Sequence, residues 1–336
     1  MNRMGTMRLA AVLGVVSIVL AACSSGGAGA SAGASSGASA GASSAASASS
    51  GAAKGTVRIA VNEWVGAEAN VAVVKNLLEG MGYTVETPSL AEEVAWQGFD
   101  ATDPAGQIDA ILENWGHPDL EKLYFTDKKV AEDAGPNGVT GIIGWYVPSW
   151  MVDQYPDILD WNNLNKYASM FKTTESGDKG QFLASDPTFV TNDEALITNL
   201  KLDYKAVYSG SEAASVTAFQ EADAGKTPLI GYFYTPQWLN AEVKLSKVNF
   251  PPYTTGCDAD PKKVACDYPP YTLNKAIRLG FETTYPDAAT LIKNFKWSND
   301  DQNQVADYIA NKGMSAADAA QKWIDDNQAT WKAWMP

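Results

Sequence analysis

Hydrophobic residues in the first half of this chain alternate between short strand-like runs and stretches with helical spacing. The run at 56–61 predicts a strand, and apolar residues three to four positions apart over 68–79 predict a helix that ends at Gly80 and Gly82. A second strand is predicted at 83–87. A strand–helix–strand unit of this length favours parallel pairing of its two strands.

Further apolar segments extend this alternation into a larger α/β protein. The predicted strands lie at 108–112, 141–147, 182–184 and 229–234, and the predicted helices at 92–99, 158–171, 192–200 and 212–223. Three helices are predicted at the C-terminus, two of them preceded by N-cap patterns at Ser298 and Ser315. We therefore predict an α/β fold of two lobes, with lobe 1 formed by 55–147 and 245–336 and lobe 2 by 148–244.

Aromatic residues follow several of the predicted strands. Trp64, Trp115 and Trp145 lie at or just beyond the ends of lobe 1 strands, and Tyr234 ends a lobe 2 strand. Ligands of open α/β sheets bind at the carboxyl ends of strands, so we expect these rings to meet in a cleft between the lobes. Converging aromatic faces attract a quaternary ammonium, which is charged but has no N–H to donate. Each ring taken singly is also compatible with the hydrophobic core.

The N-terminal region has the pattern of a bacterial export signal. Two arginines precede an apolar run too short to span a bilayer, and Leu20-Ala21-Ala22-Cys23 resembles the lipoprotein processing site. We predict that residues 1–22 are a signal peptide and that Cys23 carries lipid, with an ordinary secretory signal as the alternative. Between Cys23 and Lys54 the chain contains only Gly, Ala and Ser, so 23–54 is expected to be a flexible tether.

The chain beyond this signal is strongly acidic. Arg3 and Arg8 are two of the 25 basic residues, whereas all 39 acidic residues lie in the predicted body. This charge disfavours binding to nucleic acid or anionic lipid and attracts cations weakly at long range. No second hydrophobic stretch is long enough to span a membrane, so we expect an extracytoplasmic protein held at the cell membrane by its lipid.

Two cysteines remain beyond Cys23. Cys257 and Cys266 lie nine positions apart in a Pro- and Asp-rich loop, and in an oxidising compartment we expect them to form a disulfide. A metal site is the alternative, disfavoured because the sole histidine, His117, is distant in sequence. No cofactor is predicted.

Three segments resemble the glycine betaine/choline-type substrate-binding proteins of ABC importers. They are Asn62-Glu63-Trp64-Val65-Gly66, Glu113-Asn114-Trp115-Gly116-His117 and Tyr232-Phe233-Tyr234-Thr235-Pro236-Gln237-Trp238. The resemblance extends over nearly all of 55–336 and implies a type II, periplasmic-binding-protein-like clamshell whose lobes are joined by hinge crossovers. It also implies a monomer that delivers a small quaternary ammonium ligand to an ABC permease and its ATPase.

We predict nine ligand-binding residues. They are Trp64, Trp115, His117, Trp145, Tyr146, Thr188, Phe189, Val190 and Tyr234. The aromatic residues match walls of the family's cage, with either Trp145 or Tyr146 at one position. The candidates for binding a ligand carboxylate are the backbone N–H groups of 188–191, ahead of a predicted helix, and His117. A lone histidine in a Gly-His-Pro turn is equally compatible with a structural or surface role.

One departure from the family limits the ligand assignment. Choline-type members place an aspartate two residues after the first tryptophan, where this chain has Gly66. Negative potential near the cleft is expected from Glu92, Glu93 and Glu113. The presence of Glu92 and Glu93 is equally explained by a solvated helix face. The predicted ligand is glycine betaine or a related quaternary ammonium, and choline, carnitine and other methylated amines are the alternatives.

Two other classes of function compete with ligand capture. Enzymatic catalysis is disfavoured because His117 is the sole histidine and the sequence contains no Gly-x-Ser-x-Gly motif or phosphate-binding glycine loop. A structural lipoprotein would account for the signal, the tether and the acidic body. It would leave the aromatic residues at the strand ends unexplained.

Overall fold

The structure is a computed structural model that describes residues 54–336. The predicted signal peptide, Cys23 and the tether apart from Lys54 lie outside the described residues. The strands are β1 (Thr56–Arg58), β2 (Thr84–Glu86), β3 (Ala110–Asn114), β4 (Ala131–Pro148), β5 (Gly180–Ala184), β6 (Tyr204–Tyr208), β7 (Gly231–Thr235), β8 (Leu245–Lys247) and β9 (Pro270–Arg278).

Helices surround these strands and vary widely in length. They are α1 (Val65–Gly80), α2 (Glu92–Gln97), α3 (Pro118–Glu121), α4 (Trp150–Gln154), α5 (Leu164–Tyr167), α6 (Asp193–Asn199), α7 (Glu212–Gly225), α8 (Phe281–Thr284), α9 (Pro286–Asn294), α10 (Asn299–Ala310), α11 (Ala316–Asp326) and α12 (Gln328–Trp331). Within residues 54–336, none of the helices is long and apolar enough to cross a membrane.

Lobe 1 is built around the predicted strand–helix–strand unit. β1 and β2 pair in parallel, and a parallel bridge between Ile59 and Ala110 joins this pair to β3. The connecting helix α1 buries most of its apolar residues and packs against α10 and α11. The C-terminal helices therefore pack on lobe 1.

Strand β4 runs through both lobes. Its residues 131–142 pair with β9, and its residues 142–148 pair with β7 and then β8. The sequence predicts a strand only at 141–147, because Pro136 and the neighbouring glycines break the strand pattern and the pairing with β9 shifts register around them. One continuous strand therefore links the lobes.

Lobe 2 continues the sheet from β4 through β7 and β5 to β6, and the last three strands are mutually parallel. Residues 245–268, assigned to lobe 1 from the sequence, pack instead on lobe 2. β8 pairs with the end of β4, and the amide of Asn199 in α6 donates to the carbonyl of Val264 at 2.9 Å. The chain returns to lobe 1 with β9, so the boundary predicted at 245 moves to the start of that strand.

Two local predictions about side chains are confirmed. Cys257 and Cys266 form a disulfide, with their Cα atoms 6.4 Å apart. Ser298 forms a capping box with Asp301 at the start of α10, and the side chain of Ser315 caps α11. Both follow from short-range spacing, which a sequence displays directly.

Candidate functional site

A small cavity lies where the two lobes meet. Its volume is about 30 Å³, room for about two water molecules. The lining side chains are Trp64, Glu92, Trp115, His117, Ile143, Phe189, Val190, Tyr232 and Tyr234. They come from the segments that follow β1, β3 and β5, from α2, and from β4 and β7. A ligand carrying methyl groups enters only when these walls separate.

Aromatic rings from both lobes meet at the cavity as nearly perpendicular pairs. The ring centroid of Trp115 in lobe 1 lies 5.4 Å from that of Tyr234 in lobe 2, with an interplanar angle of 84°. Trp64 of lobe 1 lies 5.6 Å from Phe189 of lobe 2 at 89°. Because the rings of each pair contact edge to face and are not stacked, they form adjacent walls of the cavity between the lobes.

One buried carboxylate holds both tryptophans. Nε1 of Trp64 donates to Oε1 of Glu113 at 2.8 Å, and Nε1 of Trp115 donates to the same oxygen at 2.9 Å. The side-chain amide of Asn70 donates to the other oxygen. Burial raises the pKa of Glu113 to about 7, against the opposing effect of the two indole N–H groups. The rings therefore rest on a carboxylate that carries charge only near and above neutral pH.

A second buried carboxylate, that of Glu212 at the start of α7, joins the two lobes. Helix α1 has no side-chain cap of its own, and the N–H of Val65 in its first turn donates to Oε2 of Glu212 at 2.8 Å. The hydroxyl of Tyr234 and the amide of Gln237 donate to the other oxygen. The positive end of a lobe 1 helix thus faces a carboxylate of lobe 2, which stabilises the closed arrangement.

Glu92, His117 and Tyr232 supply the other polar groups of the cavity. Nε2 of His117 lies 2.8 Å from Oε1 of Glu92, at an angle outside hydrogen-bond geometry. Burial lowers the pKa of His117, but the carboxylates of Glu92, Asp119 and Glu121 together raise it by more, so the net shift is upward. Burial raises the pKa of Tyr232 well above its usual value, so its hydroxyl is a neutral donor at physiological pH.

Comparison with known proteins assigns this architecture to a family. Residues 55–326 match the OpuAC family, described as the substrate-binding domain of the ABC-type glycine betaine transport system. The chain belongs to this family. A trimethylamine N-oxide-binding protein of Pelagibacter ubique (strain HTCC1062) is 25% identical over 283 residues, which cover 81% of this chain and 88% of that protein.

Solved structures show the same two-lobed α/β fold. Lactococcal OpuAC, in a closed conformation complexed with glycine betaine, matches with a TM-score of 0.63 and 24% identity, covering 84% of this chain and 99% of that one. The glycine/betaine/L-proline-binding protein (ProX) of Borrelia burgdorferi matches with a TM-score of 0.68 and 22% identity, covering 84% and 97%.

Six of the nine residues predicted for an OpuAC-type site line the cavity, and Trp145 and Tyr146 do not. Trp145 is fully buried in lobe 2, where its ring stacks on Phe182 at 3.8 Å and its Nε1 donates to Asp193. Tyr146, one position further, points to the opposite face of the sheet. β4 continues past the cavity into lobe 2, so the residue of this strand that faces the cavity is Ile143.

Thr188 is the third predicted residue outside the cavity, and it lines an adjoining groove. Its N–H donates to Oδ1 of Asp186 at 2.8 Å. Its hydroxyl lies within hydrogen-bond distance of that oxygen at 2.7 Å and of Oε2 of Glu63 in lobe 1 at 3.0 Å, and its single hydrogen is donated to one of them at a time. The N–H and hydroxyl of Thr188 therefore already have hydrogen-bond partners, and the residue connects the two lobes beside the cavity. Val190, two residues further, does line the cavity.

Ile143 and Tyr232 line the cavity although the sequence interpretation did not select them. β4 pairs with β7 so that Ile143 lies opposite Tyr234. Tyr232 shares a face with Tyr234, because side chains two positions apart in a strand point the same way. That alternation was visible in the sequence and could have identified Tyr232. The position of Ile143 depends on the strand register, which the sequence does not display.

Proposed function

We propose that this protein binds glycine betaine or a closely related quaternary ammonium solute outside the cytoplasm and delivers it to an ABC permease with its ATPase. The observation that carries the proposal is the convergence of aromatic side chains from both lobes, Trp64 and Trp115 with Phe189 and Tyr234, on one cavity. Family membership and the similarity to a trimethylamine N-oxide-binding protein support the same class of ligand.

The cavity suits a cation that has no hydrogen to donate. Aromatic faces attract such a cation by about 0.5–2 kcal/mol per ring, the higher value applying when water is excluded. An ordinary ammonium ion would lose its hydration and find few acceptors. Within the described residues, no lysine or arginine lines the cavity, whereas Glu113 and Glu212 lie buried beside its rings. Both charge and shape therefore favour a methylated ammonium.

The oxygen atoms of the ligand need donors of their own. The hydroxyl of Tyr232, the imidazole of His117 and the backbone N–H of Val190 are the candidates, since all three residues line the cavity. Choline or carnitine is the alternative ligand, because the carboxylate of Glu92 can accept a hydrogen bond from a ligand hydroxyl. The balance between these groups decides which solute binds most tightly.

We further propose that Cys23 carries lipid and that the protein acts as a monomer anchored to the cell membrane. The export-signal pattern and the Gly/Ala/Ser segment after Cys23 support this anchoring. A tether of that composition would let the two-lobed body move while it remains close to its permease.

Calorimetric titration with a panel of solutes tests the proposed ligand class. The panel contains glycine betaine, trimethylamine N-oxide, choline and carnitine, with glycine and ammonium as unmethylated controls. We expect a methylated solute to bind with a Kd in the micromolar range, equivalent to about −8 kcal/mol, and the controls to give no saturable heat. Binding of glycine as tight as that of glycine betaine, or no binding of any methylated solute, would contradict the proposal.

Gly141 in β4 allows the Trp115 indole to lie directly against the backbone. A Cβ at this position would stand 2.2 Å from Cζ3 of Trp115, so Gly141→Ala is expected to displace the ring. We expect about fivefold weaker binding of the preferred solute by calorimetry, because overpacking costs about 1–3 kcal/mol. Gly144→Ala on the same strand is the matched control, since the three atoms nearest to its added Cβ belong to the side chain of Lys247 and not to a ring of the cavity. Equal affinities of the two variants would contradict this role.

A further inference from the structure

Glu113 lies directly behind the two tryptophan rings of the cavity. It is 1% exposed, and one of its oxygens, Oε1, accepts the N–H of both Trp64 and Trp115 at 2.8 and 2.9 Å. Within residues 54–336 neither indole N–H has another hydrogen-bond partner. A single oxygen atom therefore helps to orient both rings.

The charge of Glu113 has no counterpart in the described part of the chain. Its hydrogen-bond donors are two neutral indoles and the neutral amide of Asn70, and it forms no ion pair there. A buried carboxylate without a cation is costly, because desolvation is not repaid by attraction. Such a group beside a cavity walled by π faces is expected where a cation binds.

We propose that Glu113 is the positioning residue of the aromatic cage and that its carboxylate balances the charge of the bound cation. The inference rests on the proposed function and deepens it. An indole that donates to an anion is polarised, and its ring face becomes more electron-rich. Glu113 therefore acts on the cation both directly through its charge and through the two tryptophan rings.

A dependence of affinity on pH follows from this arrangement. Burial raises the pKa of Glu113 to about 7, the indole N–H groups lower it, and the Glu212 carboxylate raises it. A bound cation favours the ionised form, so affinity is expected to rise from about pH 6 to about pH 8. The folding stability of the unliganded protein depends on pH in the opposite direction. Because the pKa of Glu113 is raised in the folded state, its contribution to the free energy of unfolding is favourable at low pH and is lost as pH rises through about 7.

Other titratable groups face the same region, and their effects on the pH dependence of binding are distinguished from that of Glu113 by comparing variants. Glu212 and the neutral phenol of Tyr234 lie on the lobe 2 side, and Glu92 and His117 line the cavity. The neutral amides of Asn70 and Gln302 lie on the helix side and do not titrate. The contribution of Glu113 is therefore the difference in pH slope between the wild type and Glu113→Gln.

The test measures binding of tetramethylammonium and glycine betaine to the full-length protein at pH 6, 7 and 8 by calorimetry. We expect Glu113→Gln to weaken tetramethylammonium binding about tenfold at pH 8, to flatten the pH slope, and to affect zwitterionic glycine betaine less. Glu113→Asp retains the charge but cannot reach both indoles, so it should lose affinity and keep the slope. Glu79→Gln, an exposed glutamate at the opposite end of α1 from Trp64, is the matched control and should behave as wild type.

The outcomes separate this inference from the proposed function. If the wild type binds a methylated solute and Glu113→Gln shows the same affinity and pH slope, the inference is overturned and the proposed function stands. An equal loss for both ligands with an unchanged slope would overturn it as well, because a purely structural role predicts that pattern. If the wild type binds no methylated solute, both the proposed function and this inference fail.

Discussion

Replacement of Trp115 by leucine is expected to weaken binding of the preferred solute about 30-fold. The Trp115 ring meets Tyr234 across the cavity at 5.4 Å, packs on Tyr271 at 5.8 Å, and donates its N–H to Glu113. Leucine fills part of this volume but offers no π face. A desolvated cation–π contact contributes about 2 kcal/mol, which corresponds to the expected loss.

Trp115→Phe is the matched control for this prediction, and calorimetry measures both variants. Phenylalanine retains an aromatic face but lacks the N–H that donates to Glu113, so its loss should be smaller than that of leucine. Thermal unfolding without ligand must remain cooperative in both variants, which shows that the fold persists. Wild-type affinity in Trp115→Leu would remove this residue from the binding site.

Replacement of Glu212 by alanine is expected to lower both ligand affinity and stability. The N–H of Val65 at the start of α1 and the buried hydroxyl of Tyr234 would each lose their acceptor. A buried polar group left without a partner costs about 1–3 kcal/mol. Because Val65 and Glu212 belong to different lobes, part of this cost falls on the closed state, and affinity should drop at least about tenfold for all ligands alike.

Two control variants distinguish this contact from a general effect on α7. Glu212→Gln keeps an acceptor for the Val65 N–H and should recover most of the affinity and of the free energy of unfolding. Glu221→Ala, at an exposed position of the same helix, should leave both unchanged. If Glu212→Ala and Glu221→Ala bind equally well in calorimetry, the contact between the lobes does not stabilise the closed state.

Short-range sequence signals predicted the site residues that come directly after a single strand. Trp64 and Trp115 follow β1 and β3, and both line the cavity because these strands point their carboxyl ends at the other lobe. Trp145 satisfied the same rule in the sequence, yet it lies in the core of lobe 2. The difference is that β4 continues through the cavity wall, a length that Pro136 and nearby glycines concealed.

The two buried carboxylates show what the sequence could not reveal. Glu113 was recognised only as a source of negative potential, because its hydrogen bond to Trp64 spans 49 positions. Glu212 carried no signal, since its partner Val65 lies 147 positions away in the other lobe. Such contacts depend on how the lobes pack. The six predicted lining residues were identified from strand ends, family-type motifs and a predicted helix start, whereas the carboxylates that bind the rings were identified only in the structure.

A crystal structure of the protein with its preferred methylated solute tests the central claim most directly. The account predicts the quaternary nitrogen between the lobes, within about 6 Å of the ring centroids of Trp64, Trp115 and Tyr234. A solute bound in the adjoining groove, or a nitrogen that contacts none of these rings, would contradict it.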